Sequence, residues 1–188
     1  MKTGRLEAFS DGVLAIVITI MVLEFEVPES GEWGALRPLY PVFLTYLLSF
    51  VFLGIYWSNH HHLMHAAERV SGAVLWANLL LLFWLSLIPF TTRWMGARFE
   101  PVPVAVYGGV LFLSAVSWGI LEKAILRLER DGSKLKAAVG DRKKEMVSTG
   151  LYALALPLAF VQPWIAVGIY VSVALLWLVP DPRIERRT

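Results

Sequence analysis

The feature that most constrains the fold is a series of long stretches without a charged side chain. A helix of about 20 such residues crosses the hydrocarbon layer of a membrane. The uncharged stretches are Leu39 to Trp57, Val70 to Thr92, Pro101 to Leu121 and Met146 to Pro180. The last one is long enough for two helices. We place its turn at Gln162-Pro163-Trp164, because proline ends or kinks a helix at the preceding residue.

The N-terminal segment, roughly Leu6 to Phe25, completes a set of six predicted membrane helices. Its second half is apolar as far as Leu23, apart from Thr19, whereas its first half carries several polar and charged residues. No small-residue cleavage site follows the apolar run, so we expect the segment to stay in the mature protein rather than act as a signal peptide. The sequence therefore predicts an all-α integral membrane protein with six transmembrane helices, in a single domain over residues 1–188.

The distribution of basic residues predicts the orientation. With a cytoplasmic N-terminus, only Arg37, Arg93 and Arg98 of the 17 lysines and arginines lie outside. The positive-inside rule therefore places both termini in the cytoplasm. The polar segment Glu122 to Glu145 is interpreted as a helix extension followed by a cytoplasmic connector, with contact to anionic lipid headgroups as a second possibility.

Composition excludes several classes of protein. The chain has no cysteine, which rules out disulfides, thiol catalysis and cysteine-bound metals. A formal net charge of +2 is too small to indicate a nucleic-acid partner. We expect no bound cofactor and no enzymatic activity.

The first helix carries a stripe of bulky aliphatic residues and a separate carboxylate. At 3.6 residues per turn, Ile16, Ile20 and Leu23 fall on one side with Thr19 beside them. Such a stripe is most often a packing surface against lipid or another helix. Asp11 points about 140° away from Ile16, towards other helices. A carboxylate in a membrane helix is a functional candidate unless it simply meets water at the interface, and the sequence leaves both interpretations open.

The same helix carries a recognisable motif. Arg5-x-x-x-Phe9-Ser10-Asp11-Gly12-Val13-x-Ala15-Ile16-x-x-Thr19 resembles the signature of the endosomal and lysosomal potassium channel family, the transmembrane protein 175 family. The resemblance is greatest to the prokaryotic branch, which has one six-helix unit per subunit. Further matches are Trp57-Ser58-Asn59-His60-His61, Asn78, Trp84 and Pro89-Phe90-Thr91-Thr92. Together they cover the first three helices, and the last three match only in number and hydropathy.

The resemblance implies a potassium-preferring channel in the plasma membrane of a prokaryote. It implies a homotetramer in which the first helix of each subunit lines a central pore for K⁺ and other monovalent cations. Ile16, Ile20 and Leu23 would form constriction rings and Thr19 a layer of hydroxyl groups. Position 20 is isoleucine where leucine is expected. The family's hydrogen-bonded structural network would comprise Arg5, Ser10, Asp11, Trp57, His60 or His61, Asn78 and Trp84.

Physical arguments agree with such a pore. The chain contains no Thr-Val-Gly-Tyr-Gly sequence, so the usual carbonyl filter of potassium channels is not expected. A ring of isoleucines can gate a pore because a narrow apolar constriction loses its water. It discriminates weakly, through the cost of dehydration, which predicts a modest preference for potassium over sodium. The acidic outer loop, with Glu24, Glu26, Glu29 and Glu32, would concentrate cations at the mouth.

The four histidines of the chain, at positions 60, 61, 62 and 65, lie close together. On a helix His61, His65 and Glu68 share a face and are weak candidates for a zinc site. We favour pairing of one or two histidines with Asp11 or with backbone groups, and pH sensing is a third option. A metal-dependent membrane enzyme and a proton-coupled transporter, built on Asp11 and the His60–His65 cluster, are the alternative functions.

Overall fold

The computed structural model describes residues 3–67, 69–128 and 142–178. All the regular secondary structure within these ranges is helical, as predicted. The helices are α1 (Thr3–Leu23), α2 (Tyr40–Ala66), α3 (Gly72–Ser86), α4 (Ile88–Ala97), α5 (Pro101–Leu126), α6 (Lys143–Val161) and α7 (Pro163–Leu178). A short 3₁₀ segment, Trp33–Leu39, leads into α2.

Local sequence explains several helix boundaries. Proline stands at the first or second position of α2, α4 and α5, where its missing N–H costs no hydrogen bond. The Ser71 hydroxyl caps α3 by accepting a bond from the Val74 N–H at 3.4 Å. Leu87 alone separates α3 from α4, just before Pro89. Gln162 alone separates α6 from α7, which confirms the predicted turn.

Counting α3 and α4 as one interrupted rod, the described chain contains six helical rods, which confirms the predicted number. Four regions are long and apolar enough to cross a membrane, by length and composition: Thr3–Leu23, Trp33–Ala66, Gly72–Ala97 and Pro101–Leu126. The α7 helix is apolar but shorter. The α2 helix continues to Ala66 instead of ending near Trp57, so all four histidines lie on it. Residues 129–141 of the predicted connector lie outside the described residues.

The packing leaves α1 at the side of the bundle. One buried cluster joins α1 to α2 and α3 through side chains such as Leu14, Leu53 and Leu81. A second joins α2, α5, α6 and α7 around Tyr107 and Tyr170. The α5 helix touches both clusters and occupies the centre. Because the main contacts of α1 are with α2, α3 and α4, a large part of its surface is not covered by the other described helices.

Candidate pore helix and its anchoring network

The α1 helix has one buried and one outward face. Its buried residues recur every three or four positions: Leu6, Ser10, Leu14, Val17 and Met21. The aliphatic stripe identified in the sequence lies on the opposite side and is largely uncovered, with Ile16 59% exposed, Ile20 40% and Leu23 81%. Thr19 is also exposed. All four candidate pore residues therefore share one face that points away from the core of the described chain.

The Thr19 hydroxyl is oriented by its own helix. Its oxygen lies 2.9 Å from the Ala15 carbonyl and 3.0 Å from the Ile16 carbonyl, so its single hydrogen is donated to the backbone. The lone pairs of the oxygen remain on the outward face. Thr19 can therefore present an acceptor atom, the part of a hydroxyl that stabilises a cation.

A buried chain of hydrogen bonds holds the N-terminal half of α1 to α3 and α2. The Ser10 hydroxyl donates to the Leu6 carbonyl at 2.9 Å and accepts from the Asn78 amide nitrogen at 2.9 Å. The Asn78 Oδ1 atom then faces His60 Nε2 at 2.8 Å. Since Oδ1 can only accept, Nε2 must carry the hydrogen. His60 Nδ1 has no partner among the described residues.

A second set of contacts joins two acidic residues of α1 to α2. The Trp57 indole nitrogen donates to Asp11 Oδ1 at 3.1 Å, and His61 Nδ1 lies 2.7 Å from Glu7 Oε1. The Trp57 and His61 rings stack with centroids 6.3 Å apart, and His61 stacks on His65 at 6.1 Å. Asp11 thus faces a neighbouring helix, as the helical geometry predicted.

Most of the predicted network residues meet in these two sets of contacts, but two of them do not. Within the described part of the chain, no hydrogen bond links Arg5 or Trp84 to either set, and Trp84 packs edge-on against Phe83. Conversely, Glu7 was not among the residues predicted from the sequence. Its position one helical turn before Asp11 could have indicated that it meets α2 as well, since residues four apart lie on the same face of a helix.

The histidine cluster does not assemble a metal-binding group among the residues described. No three His, Asp or Glu side chains of these ranges converge in a way that could hold a metal ion. His61 and His65 stack ring on ring, and Glu68, the third predicted ligand, lies outside the described residues.

The C-terminal end of α1 is tied to α4 by an ion pair that was not predicted from the sequence. The Arg93 guanidinium donates to Glu24 just after α1, and its second nitrogen lies 3.3 Å from Glu26 Oε1. Two of the four carboxylates of the acidic outer loop are therefore paired with a cation. Arg93 was assigned to the outer side on sequence, but its partner depends on how α4 folds back towards α1.

Comparison with known proteins places the chain among ion channels. The model of the family described as "Endosomal/lysosomal potassium channel TMEM175" matches residues 5–89. A potassium channel of Chryseobacterium is 54% identical over 99% of this chain and 97% of its own length. A potassium channel of Chamaesiphon minutus is 33% identical over 93% of this chain and 92% of its own length.

A solved structure has the same fold. It is the crystal structure of a lysosomal potassium-selective channel TMEM175 homologue from Chamaesiphon minutus. It matches with a TM-score of 0.82 at 32% identity and covers 94% of this chain and 96% of the solved one. The likeness extends well beyond the first three helices, in which the sequence motifs lie.

Proposed function

The chain belongs to the TMEM175 family of potassium channels, and from this membership we propose that it is a potassium-preferring cation channel with α1 lining the pore. The observation that carries the proposal is the outward face of α1. Ile16, Ile20 and Leu23 are exposed there, opposite the face that packs on the subunit. The relatives and the solved structure are named as channels and not as enzymes.

One α1 helix cannot enclose a passage, so the proposal requires several copies around an axis. We propose a homotetramer in a prokaryotic plasma membrane, with both termini in the cytoplasm. Each α1 is fastened to its own subunit at two levels. The Ser10–Asn78 bond holds its inner half, and the Glu24–Arg93 pair holds its outer end. These attachments leave the aliphatic stripe free to meet its copies.

The proposed gate acts by excluding water rather than by coordinating the ion. Rings of aliphatic side chains make a narrow constriction unfavourable for water and for a bare ion. Thr19 adds acceptor oxygens between the rings. Because the barrier is dehydration, which costs less for potassium than for sodium, the preference for potassium is modest. At the outer mouth Arg93 offsets part of the acidic charge, so cation attraction depends mostly on Glu29 and Glu32.

Potassium flux into liposomes containing the purified protein tests the proposal. Ile16→Asn places an amide in the constriction, and we expect it to increase the flux and reduce the preference for potassium over sodium. Ile120→Asn is the matched control, because Ile120 is 43% exposed on α5 and far along the chain from the pore motif. Flux and selectivity that stay at the wild-type values in Ile16→Asn would show that Ile16 does not line the pore.

The proton-coupled transporter makes a different prediction for the same liposomes. For a channel, the reversal potential follows the potassium gradient. For a transporter using Asp11 and the histidines, it follows the pH gradient and does not respond to potassium. Measuring the reversal potential while each gradient is varied separately distinguishes the two functions.

A further inference from the structure

A cavity opens between α2, α5, α6 and α7, and no residue of α1 lines it. It has a volume of about 440 Å³, including its open mouth. Five of its lining residues are aromatic: Phe52, Tyr56, Trp118, Tyr152 and Trp177. Two edge-to-face pairs, Phe52–Tyr152 and Tyr56–Trp118, each have their ring centroids 6.2 Å apart. The Trp177 N–H is donated to Ser148 Oγ at 2.9 Å.

A carboxylate accompanies these rings. Glu145, in the first turn of α6, lines the cavity, and 21% of its side chain is exposed. The Arg142 Nε atom lies 3.1 Å from Glu145 Oε2 and also 3.1 Å from Oε2 of Glu122. The Glu122 side chain is only 2% exposed. The single Nε–H of Arg142 is therefore shared between two carboxylates, and Glu145 is the more exposed of the two.

The cavity extends from the level of Phe52, in the middle of α2, to one end of the bundle. Asn59 lies in the last third of α2, Trp118 in the last third of α5, Glu145 at the start of α6 and Trp177 at the end of α7. All four positions are on the side that the distribution of basic residues assigns to the cytoplasm. This end of the cavity is therefore at the depth of the inner headgroups, where tryptophan and tyrosine rings are favoured.

We propose that this cavity binds an alkylammonium group of the kind carried by ethanolamine and choline. Aromatic faces beside a carboxylate attract such a cation through the ring quadrupoles and the opposite charge. A potassium ion is a poor match, because it prefers a shell of oxygen ligands and most of this lining is carbon. The Asn59 side chain, also in the lining, offers a neutral acceptor. The group can come from a phospholipid headgroup or from a soluble cation.

Choline chloride added to the purified protein in a choline-free detergent tests whether the cavity binds an alkylammonium group. We expect a saturable rise in the midpoint of thermal unfolding, which the same concentration of sodium chloride does not produce. Trp118→Leu and Glu145→Gln should each weaken the response about tenfold. The matched controls Trp76→Leu, which removes a tryptophan 75% exposed on α3, and Glu100→Gln, at the opposite end of the bundle, should respond as wild type.

A filling variant and a lipid measurement complete the experiment. In Ala115→Leu the larger side chain occupies the cavity while every aromatic and charged group is kept, and we expect the choline response to be abolished.

Native mass spectrometry with phosphatidylethanolamine and phosphatidylglycerol identifies whether the bound group comes from a lipid or from a soluble cation. Retention of phosphatidylethanolamine by wild type but not by Ala115→Leu indicates a lipid headgroup, and a choline response without lipid preference indicates a soluble cation. The proposal is overturned if wild type shows neither, or if Ala115→Leu binds as wild type does. Potassium flux does not enter these readouts, so the pore proposal stands or fails separately.

Discussion

Ser10→Ala tests whether the buried chain of hydrogen bonds holds α1 to its subunit. Ser10 and Asn78 are both fully buried, and the substitution removes the only acceptor that the structure shows for the Asn78 amide nitrogen. The Leu6 carbonyl loses less, because within the helix it still accepts a backbone hydrogen bond. A buried donor left without a partner costs about 1–3 kcal/mol, and we expect the free energy of unfolding to fall by that amount.

The assay is equilibrium unfolding of the purified protein in detergent, followed by tryptophan fluorescence. Ser117→Ala is the matched control, because Ser117 is also buried and its hydroxyl also bonds to the carbonyl four residues back, at 2.7 Å, but has no second partner among the described residues. The loss in Ser10→Ala beyond that in Ser117→Ala measures the Asn78 bond. The double variant Ser10→Ala/Asn78→Ala should lose less than the sum of the single variants, by about 0.5–3 kcal/mol. Equal losses in both serine variants, together with additive effects in the double variant, would refute the assignment.

Two further predictions concern packing and the outer mouth. A Cβ at Gly108 would lie 1.9 Å from the hydroxyl of buried Tyr170, so Gly108→Ala should lower the free energy of unfolding by about 1–3 kcal/mol. A Cβ at Gly109 would have its nearest neighbour at 4.0 Å, so Gly109→Ala should have a free energy of unfolding close to that of wild type in the same assay. Arg93→Gln frees two carboxylates at the outer mouth and should raise single-channel potassium conductance at low ionic strength. The gain should vanish near 1 M salt, where the screening length is about 3 Å, and a gain that persists there would exclude a charge effect.

The membrane class and the number of helices follow from the sequence because the bilayer imposes a length and a polarity on each segment. The uncharged stretches and the break at Gln162 are local features, and the structure places the helices accordingly. The face of α1 that carries Ile16, Ile20 and Leu23 is equally local, since 3.6 residues per turn determine which side chains share a side. The motif around Asp11 indicates the protein family, and the similarity to known potassium channels confirms it.

Contacts between distant segments could only come from the tertiary structure. The pairing of Glu7 with His61, of Arg93 with Glu24, and of Arg142 with Glu122 joins residues that lie far apart in the sequence. Side-chain periodicity says which residues of one helix share a face, but not which neighbouring helix that face meets or at what height. The relative heights and rotations of the helices arise from packing around α5. For this reason the sequence determined the stripe on α1, whereas its anchors and the aromatic cavity were decided by the fold.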